Sequence, residues 1–204
     1  APQWLEWARE IQALSQIGLY FSQNEHEEAN YRRLQEIAAE MLAQNTGMSE
    51  SGLEQIFCAQ PGYATAKIDV RGAVVRDGRI LLVRERIDGL WCMPGGWADV
   101  GEIPSDMVKR EVFEESGVEV RPTKIVGVFD ANREGGHLEL FHAYKIVFLC
   151  ELLSGEPAPG TETLDAAFHD PEDPPALSPN RTNSRHLREV LSHLRDPRRQ
   201  ANFD

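Results

Sequence analysis

The 204-residue sequence predicts an α/β sandwich around a mixed β-sheet, preceded by a small all-α module. Three observations carry this expectation. Apolar residues recur at helical spacing up to about residue 58. From Lys67 the apolar runs become strand-like and meet at a short Asp-Gly turn. Beyond that turn, strand candidates alternate with two helical segments. Hydrophobic residues are 41% and charged residues 26%, enough for one substantial core plus an appendage.

The helices come first. Trp4, Trp7, Ile11, Leu14, Gly18 and Phe21 alternate steps of three and four, the pattern of an amphipathic helix. Asn24 can cap a second helix, with Glu27 three residues on, carrying Tyr31, Leu34, Ala38 and Met41 until Asn45-Thr46-Gly47 stops it. A third would carry Leu53, Ile56 and Phe57 behind a capping box of Ser51 and Glu54. The expected organisation is a helical module over residues 1–60, ending in the linker Ala59-Gln60-Pro61-Gly62, and a second domain over 61–204. Three arginines face nine acidic residues between Glu6 and Glu54, a net −6 that opposes binding to a phosphate backbone. The module is expected to pack on the second domain or to form a dimer through its tryptophan-bearing stripes.

Two apolar runs flank Asp77-Gly78 and read as a β-hairpin over Lys67 to Arg84. Further strands are expected at Lys124 to Phe129, Phe141 to Leu152 and Ala166 to His169, and a last helix at Asn183 to Leu194. The segments Glu156 to Gly160 and Asp170 to Pro179 are proline-rich connections. From Arg181 to Arg199 six arginines meet two acids, which reads as a solvated helix face.

Between the hairpin and the later strands lies Gly95 to Val118, which carries the chemistry. Pro104 suits a first helical turn, Asp106 the positive end of the dipole, and Gly117 a left-handed stop. On that helix Glu111, Glu114 and Glu115 stand at i, i+3 and i+4, within roughly 5 to 6 Å of one another. Three like charges so close repel, whereas hard divalent cations need oxygen ligands packed in this way. Arg110 can orient a carboxylate through its planar fork, and Val108 and Val112 give the helix an apolar anchor.

The fixed spacing runs Gly96, five residues, Glu102, seven residues, Arg110-Glu111-Val112, one residue, Glu114-Glu115, one residue, Gly117-Val118. It resembles the signature of the Nudix hydrolases. That resemblance implies the Nudix α/β/α fold, Mg²⁺ or Mn²⁺ as cofactor, and hydrolysis of a nucleoside diphosphate linked to another moiety. By resemblance Glu111 and Glu115 are the principal metal ligands, Glu114 a further ligand or water holder, and a carbonyl near Gly95 a contributor. Gly96, Glu102 and Gly117 are structural in the motif, Glu102 pairing with Arg110. The general base is open between Glu114 or Glu115 on the helix, which are favoured, and Glu139 or Glu162 on later loops. For substrate phosphates the candidates are Arg71 and Arg84, then Lys145; His142 and Tyr144 could touch a base.

The opening Trp4-Leu5-Glu6-Trp7, Asp69-Val70-Arg71, Leu90 to Gly101 and Tyr144-Lys145 are similar to the bacterial CDP-choline pyrophosphatase group. This implies a homodimer that cleaves CDP-choline to CMP and phosphocholine. The loop from Asp130 to His137 and the acidic Glu172 and Asp173 depart from the group. The alternatives are ADP-ribose or a nucleotide sugar, RNA ends, and a non-catalytic nucleotide sensor.

A formal charge of −12 disfavours DNA as a partner. The sequence has neither a membrane-length apolar run nor a basic, apolar leader at its start, so a cytoplasmic protein without a membrane partner is expected. Cys58, Cys92 and Cys150 are odd in number and widely spaced, and read as buried small hydrophobes.

Overall fold

The computed structural model describes residues 2–58, 60–131 and 140–204. They fall into two compact units, one within Ala1–Ala66 and Leu138–His142, the other within Lys67–His137 and Ala143–Asp204.

The first unit holds α1 (Gln3–Phe21), α2 (Glu25–Thr46) and α3 (Glu50–Cys58). Its core is Leu5, Ala8, Ala38, Ala39, Leu42, Leu53 and Phe57, with Leu140 and Phe141 packed against it. A Cβ on Gly18 would stand 2.2 Å from the Tyr31 ring, so the close approach of α1 to α2 requires glycine there. This changes the reading of α1. Its buried residues are Leu5, Ala8, Gln12, Ser15 and Gln16, with Trp4 and Ile11 partly buried. Trp7, Leu14 and Phe21 point outward instead and are more than half exposed. Gln12 donates to Gln16 at 2.8 Å and Gln16 to the Gly62 carbonyl at 3.0 Å, which pairs these buried amides.

Asn24 caps α2 by accepting from the Glu27 N–H at 2.9 Å. The cap of α3 is Ser49 rather than Ser51: its hydroxyl accepts from the Gly52 N–H at 3.2 Å, and the helix begins at Glu50.

The second unit is a mixed sheet between two helices. Its strands are β1 (Lys67–Arg76), β2 (Arg79–Glu85), β3 (Trp91–Cys92), β4 (Gly95–Trp97), β5 (Glu119–Asp130), β6 (Ala143–Ser154), β7 (Thr163–His169) and β8 (Asn202–Phe203), and its helices α4 (Pro104–Ser116) and α5 (Ser184–Arg195). The order is β3-β2-β1-β6-β5-β8, with β4 on β1 and β7 on β2. β1 runs parallel to β6 and β5 parallel to β8; the other pairs are antiparallel. Asp77 and Gly78 have φ of 52° and 75°, the left-handed pair that a two-residue hairpin needs. β5 starts earlier than expected because the sheet accommodates Pro122 at a register shift between Pro122 and Lys124.

α4 packs Met107, Val108 and Val112 on one sheet face, against Val70, Val74, Leu81 and Phe148. α5 packs Leu187 and Val190 on the other, against Ala73, Ile80, Leu82, Phe129 and Val147. A Cβ on Gly72 would lie 2.5 Å from Val112 Cγ2, so this glycine lets α4 settle onto β1. The arginines of the tail turn back onto the chain's own acids: Arg181 on Glu85 and Asp88, Arg195 on Glu172, Arg199 on Glu189. Cys92 and Cys150 are free and buried. No described helix is long and apolar enough to cross a membrane.

Candidate active site

The motif helix is positioned at both ends. Pro104 lies in its first turn, and Gly117 at φ 71° closes it, its N–H donating to the Phe113 carbonyl at 2.8 Å. With Val108 and Val112 in the core, the helix carries its carboxylates on a rigid base.

Glu115 lies deepest, 7% exposed, and its Oε2 accepts from the Gly95 N–H at 2.9 Å. Gly95 has φ 142°, and a Cβ there would fall 2.0 Å from the Val70 carbonyl oxygen, so only glycine fits between β1 and the helix. At Gly96 a Cβ would meet Glu111 Oε2 at 2.9 Å. Glu115 and Glu111 therefore border the same two-glycine stretch. Burial pushes the Glu115 carboxyl up to about 7, with Glu85 and Glu111 adding to the rise, while the Arg71 cation and the Gly95 N–H oppose it. Burial also raises Glu111, aided by Glu114 and opposed by Arg110.

Arg110 gathers the remaining acids. Its fork donates to both oxygens of Glu102 at 2.8 Å, and its Nη1 reaches Glu111 and Glu114 at 2.9 Å each. This bidentate pair ties the loop carrying Glu102 to the helix, and the hydrogen bonds hold the Glu102 carboxyl below its ordinary range.

Among the described residues no three carboxylate, imidazole or thiolate groups already converge to hold an ion. The donor set fits one nonetheless. Glu111 and Glu115 are oxygen donors flanking a glycine backbone, and burial raises both carboxyls in spite of the Arg110 and Arg71 cations beside them. A hard divalent cation would favour their ionised forms, with Glu114 able to join by leaving Arg110.

The expected phosphate contacts are placed differently. Arg71 is 3% and Lys145 1% exposed, and both are paired with Asp69. Arg71 donates from Nε to Asp69 Oδ1 and from Nη2 to Oδ2, 2.9 Å each, and from Nη1 to the Met93 carbonyl at 3.1 Å. These cations are interior groups behind the glycine loop, because Asp69 supplies the charge that lets them be buried. Arg84 is exposed and donates to the Gly89 carbonyl at 2.9 Å, bracing the turn after β2. His142 and Tyr144 are both exposed, on either side of the first residue of β6. Glu162 is exposed in the loop before β7; Thr163 beside it donates to the Glu115 carbonyl at 2.8 Å, which sets that loop against the end of α4. Glu139 lies outside the described residues.

Sequence reading missed Asp69, Glu85 and Cys92. The Cys92 thiol donates to Glu85 Oε1 at 3.2 Å, and Arg181 Nε lies 3.3 Å from the same oxygen. The signal for Asp69 was its place two residues before Arg71, on the same side of a strand.

The NUDIX domain model matches residues 67–191. The chain belongs to the Nudix hydrolase family. Residues 2–57 match a model described as a UDP-X-like, N-terminal oligomerisation domain. Over 99% of its length this Nudix hydrolase is 37% identical to YjhB of Bacillus subtilis (strain 168), provisionally named an ADP-ribose pyrophosphatase, 97% of which is covered. The crystal structure of an ADP-ribose pyrophosphatase from Streptococcus suis 89-1591 superposes with a TM-score of 0.63 at 35% identity, covering 69% of this chain and all of that one. A UDP-X diphosphatase crystal structure gives a TM-score of 0.63 at 28% identity over 98% of both chains. The protein is thus a Nudix pyrophosphohydrolase, of a family that generally uses divalent metal cations.

Proposed function

We propose that this enzyme hydrolyses the pyrophosphate bond of a nucleoside diphosphate linked to a second moiety, with ADP-ribose or a nucleotide sugar as the main substrate. Mg²⁺ or Mn²⁺ would be held by Glu111 and Glu115. The pairing of Glu115 with the Gly95 N–H, beside Glu111 at Gly96, carries the reading. When bound, the cation would neutralise phosphate oxygens and open phosphorus to attack. The chain's own part is to hold Glu115 against the glycine loop and to orient Glu111 and Glu114 through Arg110. Glu114, more than half exposed, can accept a proton from an attacking water, and is the base in this reading.

The substrate preference leans on the ADP-ribose pyrophosphatases and the UDP-X diphosphatase to which the chain is similar. The CDP-choline expectation rests on its sequence resemblance alone and forms the second arm of the test. Purified protein is incubated with ADP-ribose, UDP-glucose and CDP-choline, with Mg²⁺ and separately with Mn²⁺, and products are separated by chromatography. AMP and ribose 5-phosphate as the fastest products support the reading. CMP and phosphocholine as the fastest would replace the substrate, and no turnover of any would remove the catalytic assignment.

The helical module is assigned to self-association with a second copy. Trp7, Leu14 and Phe21 recur every seven residues along α1 and are exposed, an apolar stripe of the kind that a partner helix covers. The match of this segment to an oligomerisation domain supports it.

A further inference from the structure

We propose that Lys145, Asp69 and Arg71 form a buried positioning triad that sets the glycine loop and, through it, the orientation of Glu115. The inference rests on the reading of Glu115 as a metal ligand, and assigns to the two cations a task other than contact with substrate.

The geometry is fixed at both ends. Asp69 sits opposite Lys145 in the β1–β6 ladder, and Lys145 Nζ lies 3.0 Å from Asp69 Oδ1. The Arg71 fork closes on both oxygens of the same carboxylate, leaving Nη1 to reach the Met93 carbonyl at 3.1 Å. Next along the loop, the Pro94 carbonyl accepts from the Gly72 N–H at 2.9 Å, and Gly95 faces Arg71 across the β1–β4 ladder. The following link is the Gly95 N–H on Glu115 Oε2 at 2.9 Å. A continuous chain of hydrogen bonds and backbone thus runs from Lys145 to a ligand oxygen.

Two cations share the Asp69 carboxylate behind the loop, and the Cys92 thiol, which donates to the Glu85 carboxylate, lies against Arg71 Nη1. With its fork and Nη1 engaged and almost no exposed surface, Arg71 is poorly placed to take a substrate phosphate as well. Groups that orient ligands in this way typically alter metal affinity or activity 10- to 100-fold when replaced.

The test uses the full chain and Mn²⁺ alone as probe, bound Mn²⁺ being read from the loss of the free-ion electron paramagnetic resonance signal. Asp69→Asn should weaken Mn²⁺ binding about 10- to 100-fold, while KM at saturating metal stays within about threefold. Lys145→Met, which keeps the Arg71–Asp69 pair, should fall between wild type and Asp69→Asn, and decides the matter if circular dichroism shows that Asp69→Asn does not fold. Arg76→Ala, which removes an exposed pair with Glu156 and a contact with the Phe168 ring but none with the triad, should bind as wild type. Wild-type Mn²⁺ affinity in a folded Asp69→Asn or Lys145→Met would overturn the proposal, as would a raised KM with unchanged metal affinity, which would return the cations to substrate binding. A wild-type protein that binds no Mn²⁺ would instead bring down the metal-site reading itself.

Discussion

Replacing Arg110 by lysine keeps the positive charge and removes the fork. In the native protein that fork makes two bonds of 2.8 Å to Glu102 and single bonds of 2.9 Å to Glu111 and Glu114. A lysine ammonium can face one or two of these acids but cannot hold a carboxylate in plane. The Arg110 and Glu102 side chains are 32% and 27% exposed, so solvent screens the pair and the expected loss of stability is only about 1 kcal/mol. A domain stable by 5 kcal/mol or more stays over about 99% folded after such a loss. The expected fall in kcat is nevertheless about 10- to 100-fold, because the carboxylates proposed to meet the metal would lose their orientation. Urea unfolding beside kcat at saturating metal, on the best substrate of the panel, separates the two quantities. A kcat within twofold of wild type would refute the view that the fork orients the site. A stability loss near 4 kcal/mol would show that Arg110 acts chiefly in folding.

Three further outcomes follow from the geometry. Glu115 holds its proton to about pH 7 in the folded state but only to about 4.5 when unfolded, so metal-free stability should fall by roughly 3 kcal/mol as pH rises through that window. Thermal melts of wild type and Glu115→Gln from pH 4 to 8 check this; the variant should lack that component of the slope and lose two or more orders of magnitude in turnover. Gly72→Ala drives a methyl to 2.5 Å from Val112 and should destabilise the enzyme by about 1 to 3 kcal/mol, read by urea unfolding, with the restoring partner Val112→Ala recovering part of it. Leu14→Glu places a charge in the exposed stripe of α1 and should abolish the proposed self-association in light scattering, with circular dichroism unchanged.

The candidate carboxylates were legible in the sequence because their spacing is local: helix periodicity alone puts Glu111, Glu114 and Glu115 on one stretch of α4. The hairpin was legible for the same reason, through Asp77-Gly78. Asp69 and Lys145 were not recognisable as partners, since only the parallel β1–β6 register brings these distant residues together. β3, β4 and β8 are two or three residues long and leave no periodic trace. The face of α1 was read only in part: Trp4, Ile11 and Gly18 do turn inward, but the polar Gln12, Ser15 and Gln16 are buried beside them, which hydropathy spacing does not signal. Ser49 and Ser51 are both competent caps in sequence; only the hydrogen bond to Gly52 separates them.

The parallel β1–β6 pairing also dictates when the site can come into being. β1 emerges early in synthesis and its hairpin with β2 can close at once, yet Asp69 faces Lys145 only after β6 has been made and threaded alongside. Until then Asp69 lacks the second of its two cations. A nascent chain that ends before β6 can therefore carry the whole signature without the full triad proposed to hold Glu115 in place. Competence waits for a strand that bears none of the signature.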